Sequence, residues 1–144
     1  MRPEWDSYFM GFARAASARA TCDRKHVGAV IVVDHQVAAT GYNGSVRGLP
    51  HCDDVGHDMV DGHCVRTIHA EMNALAQAAR RGVKVEGAWI YTTASPCWDC
   101  FRVLVNAGIQ RFIYGEGYRE EDHRARIADV ARATGVQIKA LSGS

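Results

Sequence analysis

The apolar positions along the chain change period several times, and each change marks an element. Trp5, Tyr8, Phe9, Phe12 and Ala16 recur at helical spacing, which predicts an amphipathic helix over residues 4–20 with the aromatic stripe in the core. Polar Thr21-Cys22-Asp23-Arg24-Lys25-His26 follows as a loop. Residues 27–33 are an unbroken apolar run, the mark of a buried strand, and Asp34-His35 is a tight turn into a hairpin partner over residues 36–42. Asn43-Gly44 is expected to end that strand in a turn. Residues 45–65 show no period and are rich in Gly, Asp, His and Cys. A loop of that length inside a compact domain is usually functional or metal-bound. Beyond it the pattern alternates: helix over 68–81 closed by Gly82, strand 88–93, helix from Pro96 to about 106 stopped by Gly108, strand 109–114, helix 120–134 ended by Gly135, and a short strand 136–141. Helix, hairpin, then alternating helix and strand imply an α/β domain, residues 1–144, with one mixed sheet and helices packed on both faces.

Composition narrows the setting. A chain of 144 residues is long enough for one domain with a real core. A net charge of +1 gives no broad attraction to nucleic acid or membrane. No apolar run is long enough for a transmembrane helix, and Met1-Arg2-Pro3-Glu4-Trp5-Asp6 does not open a signal peptide. The cytoplasm is the expected compartment. Five cysteines and seven histidines in that setting point to metal rather than disulfides.

The chemistry sits in two stretches. Arg66-Thr67-Ile68-His69-Ala70-Glu71 supplies His-x-Glu, and Ser95-Pro96-Cys97-Trp98-Asp99-Cys100 supplies Pro-Cys-x-x-Cys. Together they give three zinc ligands, His69, Cys97 and Cys100, and one carboxylate, Glu71, that is not a ligand. Three protein ligands leave the fourth position open, as catalytic zinc requires. A nearby carboxylate can then move protons. The pair of motifs is the signature of zinc nucleobase deaminases. On a regular helix His69 and Glu71 would point about 200° apart. Both reach one site only where the chain is still entering the helix. Met72-Asn73-Ala74-Leu75-Ala76-Gln77-Ala78-Ala79-Arg80 then continues as helix-forming sequence. Pro96 suits a helix start, whose dipole favours thiolate at Cys97 and Cys100.

A second group of metal-ligating residues remains: Cys22, Cys52, His57, His63 and Cys64. Four N/S ligands make a closed structural zinc site. Cys22, Cys52, His57 and Cys64 are the chosen set, with His63 as the competing nitrogen. Such a site would staple the long loop.

At these residues the chain resembles the deoxycytidylate (dCMP) deaminase family, most of all the bacterial branch that includes the late-competence operon deaminase. The resemblance runs through Trp5-Asp6-Ser7-Tyr8-Phe9-Met10, Val27-Gly28-Ala29-Val30-Ile31-Val32, Gly41-Tyr42-Asn43-Gly44-Ser45, His51-Cys52, residues 64–74, Ser95-Pro96-Cys97-Trp98-Asp99-Cys100 and Ala107-Gly108-Ile109. It departs at His57, where that branch usually carries Cys. The resemblance implies a three-layer α/β/α cytidine-deaminase-like fold with about five strands, and hydrolytic deamination of dCMP to dUMP. Glu71 would be the proton shuttle, and the backbone at Ala70 and Ser95 would hold the base edge. By the same similarity Asn43 would contact the sugar or an effector, Arg24 the phosphate, and Tyr118 would gate the pocket. Asn43 could equally form a turn, and Arg24 could be a solvated loop charge. The family is often hexameric, activated by dCTP with magnesium and inhibited by dTTP, with Gly41, Tyr42, Asn43 and Gly44 tied to the effector site.

Other readings stay open on sequence alone. A transfer-RNA adenosine deaminase would share both motifs but should carry a basic RNA surface. A bifunctional dCMP/dCTP deaminase differs only near the phosphate. A non-catalytic zinc protein that senses nucleotides would not need Glu71.

Overall fold

The computed structural model describes residues 1–21, 26–61, 63–116 and 121–141. In chain order the elements are α1 (Trp5–Ser17), β1 (Gly28–Val33), β2 (Gln36–Tyr42), β3 (Gly44–Ser45), α2 (Cys52–Val55), β4 (Met59–Val60), β5 (His63–Cys64), β6 (Thr67–Ile68), α3 (Ala70–Arg81), β7 (Trp89–Ala94), α4 (Trp98–Ala107), β8 (Arg111–Glu116), α5 (Glu121–Thr134) and β9 (Gln137–Ala140). Five strands form the main sheet in the order β2-β1-β7-β8-β9. β1 pairs antiparallel with β2 and β7, while β7, β8 and β9 run parallel. The expected mixed sheet is therefore present. No helix among the described residues is long and apolar enough to cross a membrane.

The unbroken apolar run of β1 follows from burial on both faces. Val30 and Val32 pack with Phe9, Met10 and Ala13 of α1, together with Tyr91 and Ile113. Ala29 and Ile31 point the other way, into a larger core with Ala70, Ala74 and Ala78 of α3, Phe101 and Leu104 of α4, and Ile127 and Ala131 of α5. Two glycines let the helices approach the sheet. A Cβ on Gly28 would lie 2.0 Å from the Ala13 carbonyl oxygen in α1, and one on Gly41 would lie 2.3 Å from the Ala70 carbonyl oxygen in α3. The β1–β2 turn places both Asp34 (φ 50°) and His35 (φ 60°) in the left-handed region, as a tight two-residue hairpin turn demands.

Several expectations are corrected. The aromatic stripe of α1 is the core face only at Phe9, which is buried with Met10 and Ala13, whereas Trp5 (51 % exposed), Tyr8 (44 %) and Phe12 (38 %) lie on the rim. The reason is Asp6. Its carboxylate is 13 % exposed and accepts hydrogen bonds from the guanidinium of Arg111 (2.9 and 3.0 Å), the Tyr91 hydroxyl (2.7 Å) and the Lys139 ammonium (2.9 Å). Turning Asp6 inward rolls the aromatic stripe outward, where Trp5 stacks on His35 at 4.1 Å. Burial alone would raise the Asp6 pKa, but the bonds from Arg111, Tyr91 and Lys139 outweigh it and hold the carboxyl well below the usual range.

β2 ends at Tyr42 as expected and the chain bends at Asn43, but Gly44 does not stay in a turn. Gly44 and Ser45 continue as β3 and pair with Ile68 and Thr67 of β6. The stretch 45–65 is not wholly irregular, because α2 and the β4–β5 pair lie within it. The other helix and strand limits agree within three residues, the largest difference being the end of α1, at Ser17 rather than residue 20.

Candidate active site

The parallel strands converge on their C-terminal ends, where loops of such sheets carry chemistry. β7 ends at Ala94, Ser95-Pro96 follow, and Cys97 is the N-cap of α4 with extended backbone (φ −81°, ψ 160°). On the antiparallel side, β6 leads into His69, the extended N-cap of α3 (φ −63°, ψ 150°). His69 therefore stands off the helix while Glu71 is in its first turn. That resolves the 200° separation a regular helix would impose.

His69 Nδ1 lies 3.3 Å from Cys97 Sγ and 3.4 Å from Cys100 Sγ. The three ligand atoms lie within 4.8 Å of one another. Tetrahedral zinc with Zn–S of about 2.3 Å and Zn–N of about 2.1 Å has an N–S edge of about 3.6 Å. The observed separations match that edge within a few tenths of an ångström, so these residues fit zinc. Nδ1 is the ring nitrogen that faces both sulfurs. The Cys100 thiol and backbone N–H both donate to Cys97 Sγ, and with His69 beside it these hold the Cys97 pKa down to about 4 against burial. Donation to Cys97, together with burial, pushes Cys100 upward.

Glu71 is 4 % exposed. Burial raises its pKa, and the charge on Cys97 adds to the rise. Hydrogen bonds from the backbone N–H groups of Glu71 and Cys97, and the field of His69, oppose it. The carboxyl is thus within reach of Cys97 and is poised to hold a proton, as a general acid–base requires.

Ala70 opens α3 beside His69, and Ser95 lies between β7 and Cys97, so both flank the triad in the chain. Asn43 is buried. Its Oδ1 accepts from Val27 N–H at 2.8 Å, its N–H donates to the Val27 carbonyl at 3.3 Å, and its carbonyl accepts from Thr21 N–H at 3.2 Å. Fixing Oδ1 on the backbone turns Nδ2 the other way. The Cβ direction at Gly41 is taken by α3, so glycine serves close helix packing there. A Cβ on Gly44 would first meet the Thr21 hydroxyl at 3.3 Å and the Tyr42 ring at 3.4 Å. Arg24, Tyr118 and Cys22 lie outside the described residues, as does the side chain of His63.

Cys52, His57 and Cys64 form a second cluster, again with ligand atoms within 4.8 Å. Cys52 Sγ and Cys64 Sγ are 3.6 Å apart, close to the S–S edge of about 3.8 Å in a tetrahedral zinc site. The Thr67 hydroxyl is 3.5 Å from each sulfur. Burial raises the Cys64 pKa, yet bonds from Thr67, from the backbone at Asp58 and Arg66 and from His57 bring it down to about 5.

The motifs did not single out Thr67 or Asn73. Asn73 donates from Nδ2 to the carbonyls of Tyr42 (2.8 Å), Ile68 (3.4 Å) and Gly44 (3.5 Å). The one available signal was an asparagine, a poor helix former, inside an alanine-rich helix.

The family described as the cytidine and deoxycytidylate deaminase zinc-binding region matches residues 3–116. ComE operon protein 2 of Bacillus subtilis is 43% identical over 138 residues, covering 96% of this chain and 73% of that protein. The deoxycytidylate deaminase of Saccharomyces cerevisiae is 37% identical over 99% of this chain, which spans 46% of the yeast protein. The crystal structure of the cyanophage S-TIM5 dCMP deaminase in complex with dCMP and dUMP superposes with a TM-score of 0.82 at 30% identity, covering 98% of this chain and 99% of that one. The match spans both ligand-bearing helix starts as well as the sheet between them, and on that ground the chain belongs to the cytidine and deoxycytidylate deaminase family.

Proposed function

We propose that this chain is a single catalytic domain that hydrolyses dCMP to dUMP and ammonia. The observation that carries the reading is the buried Glu71 carboxyl beside the His69–Cys97–Cys100 triad. The dCMP deaminases among its relatives supply the substrate. When bound, zinc supplies a Lewis acid that brings the pKa of water to roughly 7. His69, Cys97 and Cys100 would hold it. Glu71 accepts the proton of the attacking water and passes it to N3 of the cytosine ring as oxygen joins C4. Glu71 then takes the proton of the new C4 hydroxyl and gives it to the C4 amine; the C–N bond breaks, C4=O forms, and ammonia leaves. Ala70 and Ser95 offer backbone groups to the base edge. Asn43 offers Nδ2 to the sugar, Arg24 would meet the phosphate, and Tyr118 would close over the pocket.

The second cluster extends this reading to a structural zinc held by Cys22, Cys52, His57 and Cys64. Thr21, next to Cys22, accepts the Asp53 N–H at 3.0 Å, which brings the chain before Cys22 against the residue after Cys52. Regulation by dCTP with magnesium and by dTTP, in a homo-hexamer, belongs to the same proposal. In it the Gly41–Gly44 stretch is the effector contact, with Gly41 also packed against α3.

Glu71→Ala tests the chemistry directly. The variant should retain catalytic-site zinc and lose at least about 10³-fold in turnover, because it lacks the proton shuttle. Turnover near that of the parent would remove Glu71 from the mechanism.

A further inference from the structure

α3 makes its first helical bond from Asn73 N–H to the His69 carbonyl at 3.0 Å. The side chain of the same residue reaches across to the end of β2, where Nδ2 donates to the carbonyls of Tyr42 and Gly44. Those two carbonyls flank Asn43 in the chain. Nδ2 also lies 3.4 Å from the carbonyl of Ile68, the residue before His69. Three carbonyl oxygens around one amide nitrogen allow only one amide orientation, since a flipped Oδ1 would face three acceptors. Asn43 is itself held on its other sides by Val27 and Thr21. The Asn73 side chain bonds to the backbone around both Asn43 and His69.

We propose that Asn73 is a positioning residue for nucleotide recognition: it sets the distance and angle between Asn43 and the His69 ligand, and so between the sugar contact and the reacting base. The proposal rests on the reading of Asn43 as a substrate contact. Asn73 touches no substrate in this scheme and acts through the backbone on either side of Asn43. Its two N–H groups, shared among three carbonyls, tie the bend from β2 into β3 to α3, while Val27, Thr21 and the two-residue pairing with β6 hold the same segment from its other sides. Without the donor, the bend loses its tie to α3, and Asn43 drifts relative to the base. A displacement of that kind weakens ground-state and transition-state binding together, which raises KM more than it lowers kcat.

The test is a double-mutant cycle on the zinc-loaded full chain, with dCMP kinetics and metal content measured for each protein. Asn73→Leu has the branching of asparagine with bulkier methyl ends and no donor; Asn73→Asp keeps the size and shape and replaces the donor with an acceptor, and it carries the test if the leucine variant does not fold. The expected result is a KM for dCMP raised about tenfold or more, kcat lowered less than about threefold, and catalytic-site zinc unchanged. Asn43→Ala should raise KM on its own, and the Asn43→Ala/Asn73→Leu pair should raise it no further. Asn73 variants with the parental KM, or with a changed melting temperature alone, would overturn the proposal. So would a KM increase that multiplies in full in the Asn43→Ala background. If Asn43→Ala leaves KM unchanged, the sugar-contact reading itself falls, and the positioning role falls with it.

Discussion

Gly41→Ala puts the packing of α3 to the test. An added Cβ would lie 2.3 Å from the Ala70 carbonyl oxygen, 2.4 Å from Ala74 N and 3.0 Å from Ala74 Cα. Ordinary contact begins near 3.4 Å, so α3 must retreat from β2 by about 1 Å. All three obstructing atoms are backbone, and no rotamer change relieves them. Overpacking of this kind costs about 1–3 kcal/mol. The reduced freedom of alanine in the unfolded chain offsets about 0.4–1 kcal/mol. A net loss of about 1–2 kcal/mol corresponds to a fall in Tm of about 2–8 °C for a chain of this size. The catalytic effect should be larger than the stability effect, because α3 begins beside His69 and carries Glu71 in its first turn. A shift of about 1 Å at reacting groups can cost about 100-fold in rate. Urea unfolding followed by circular dichroism gives the stability change as a shift in midpoint at constant m, and ammonia release gives kcat. Gly11→Ala is the control: nothing lies within 4 Å of its Cβ, so it should stabilise α1 by about 0.5–1 kcal/mol and leave turnover alone. A Gly41→Ala protein as stable and as active as the parent would refute the argument that this glycine seats the catalytic helix.

Asp6→Asn should destabilise by about 2–4 kcal/mol at neutral pH, since it leaves the largely buried Arg111 without its carboxylate. The depressed Asp6 pKa contributes stability that is complete above its unfolded value of about 3.9 and is lost as pH falls through the lower folded value. The gap between parent and Asp6→Asn should therefore narrow below about pH 4, and an equal gap at about pH 2.5 and pH 7 would contradict this. Elemental analysis of zinc-loaded protein should give about two zinc ions per chain, falling to about one in Cys64→Ser with turnover retained in part. A parental value near one would remove the second site.

The order of elements and both ligand clusters were legible because each depends on local pattern. The apolar run of residues 28–33 reports burial on two faces, and the paired motifs bring their own helix starts. What stayed hidden depends on contacts distant in sequence. Asp6 reads as a surface charge until Arg111, Tyr91 and Lys139, more than 80 residues away, are placed around it. Of the Trp5–Tyr8–Phe9–Phe12–Ala16 stripe, Phe9 is the aromatic residue that is buried, and the inward Asp6 leaves Trp5, Tyr8 and Phe12 on the rim. Asn43-Gly44 carries strong turn chemistry, yet Asn73 and the Val27 N–H use the same groups to extend the chain into β3. Tertiary partners overrode the local preference there. At Gly41 the sequence suggested close approach correctly but not what approaches.

The account stands or falls on substrate. Ammonia release by zinc-loaded protein should be measured on deoxycytidine, dCMP, dCTP, CMP and adenosine in RNA, each with and without dCTP plus magnesium or dTTP. Strong preference for dCMP, raised by dCTP and lowered by dTTP, is the predicted result. Comparable turnover of dCTP would keep the chemistry of Glu71 and move the specificity, whereas no turnover of any pyrimidine nucleotide would contradict the account at its centre.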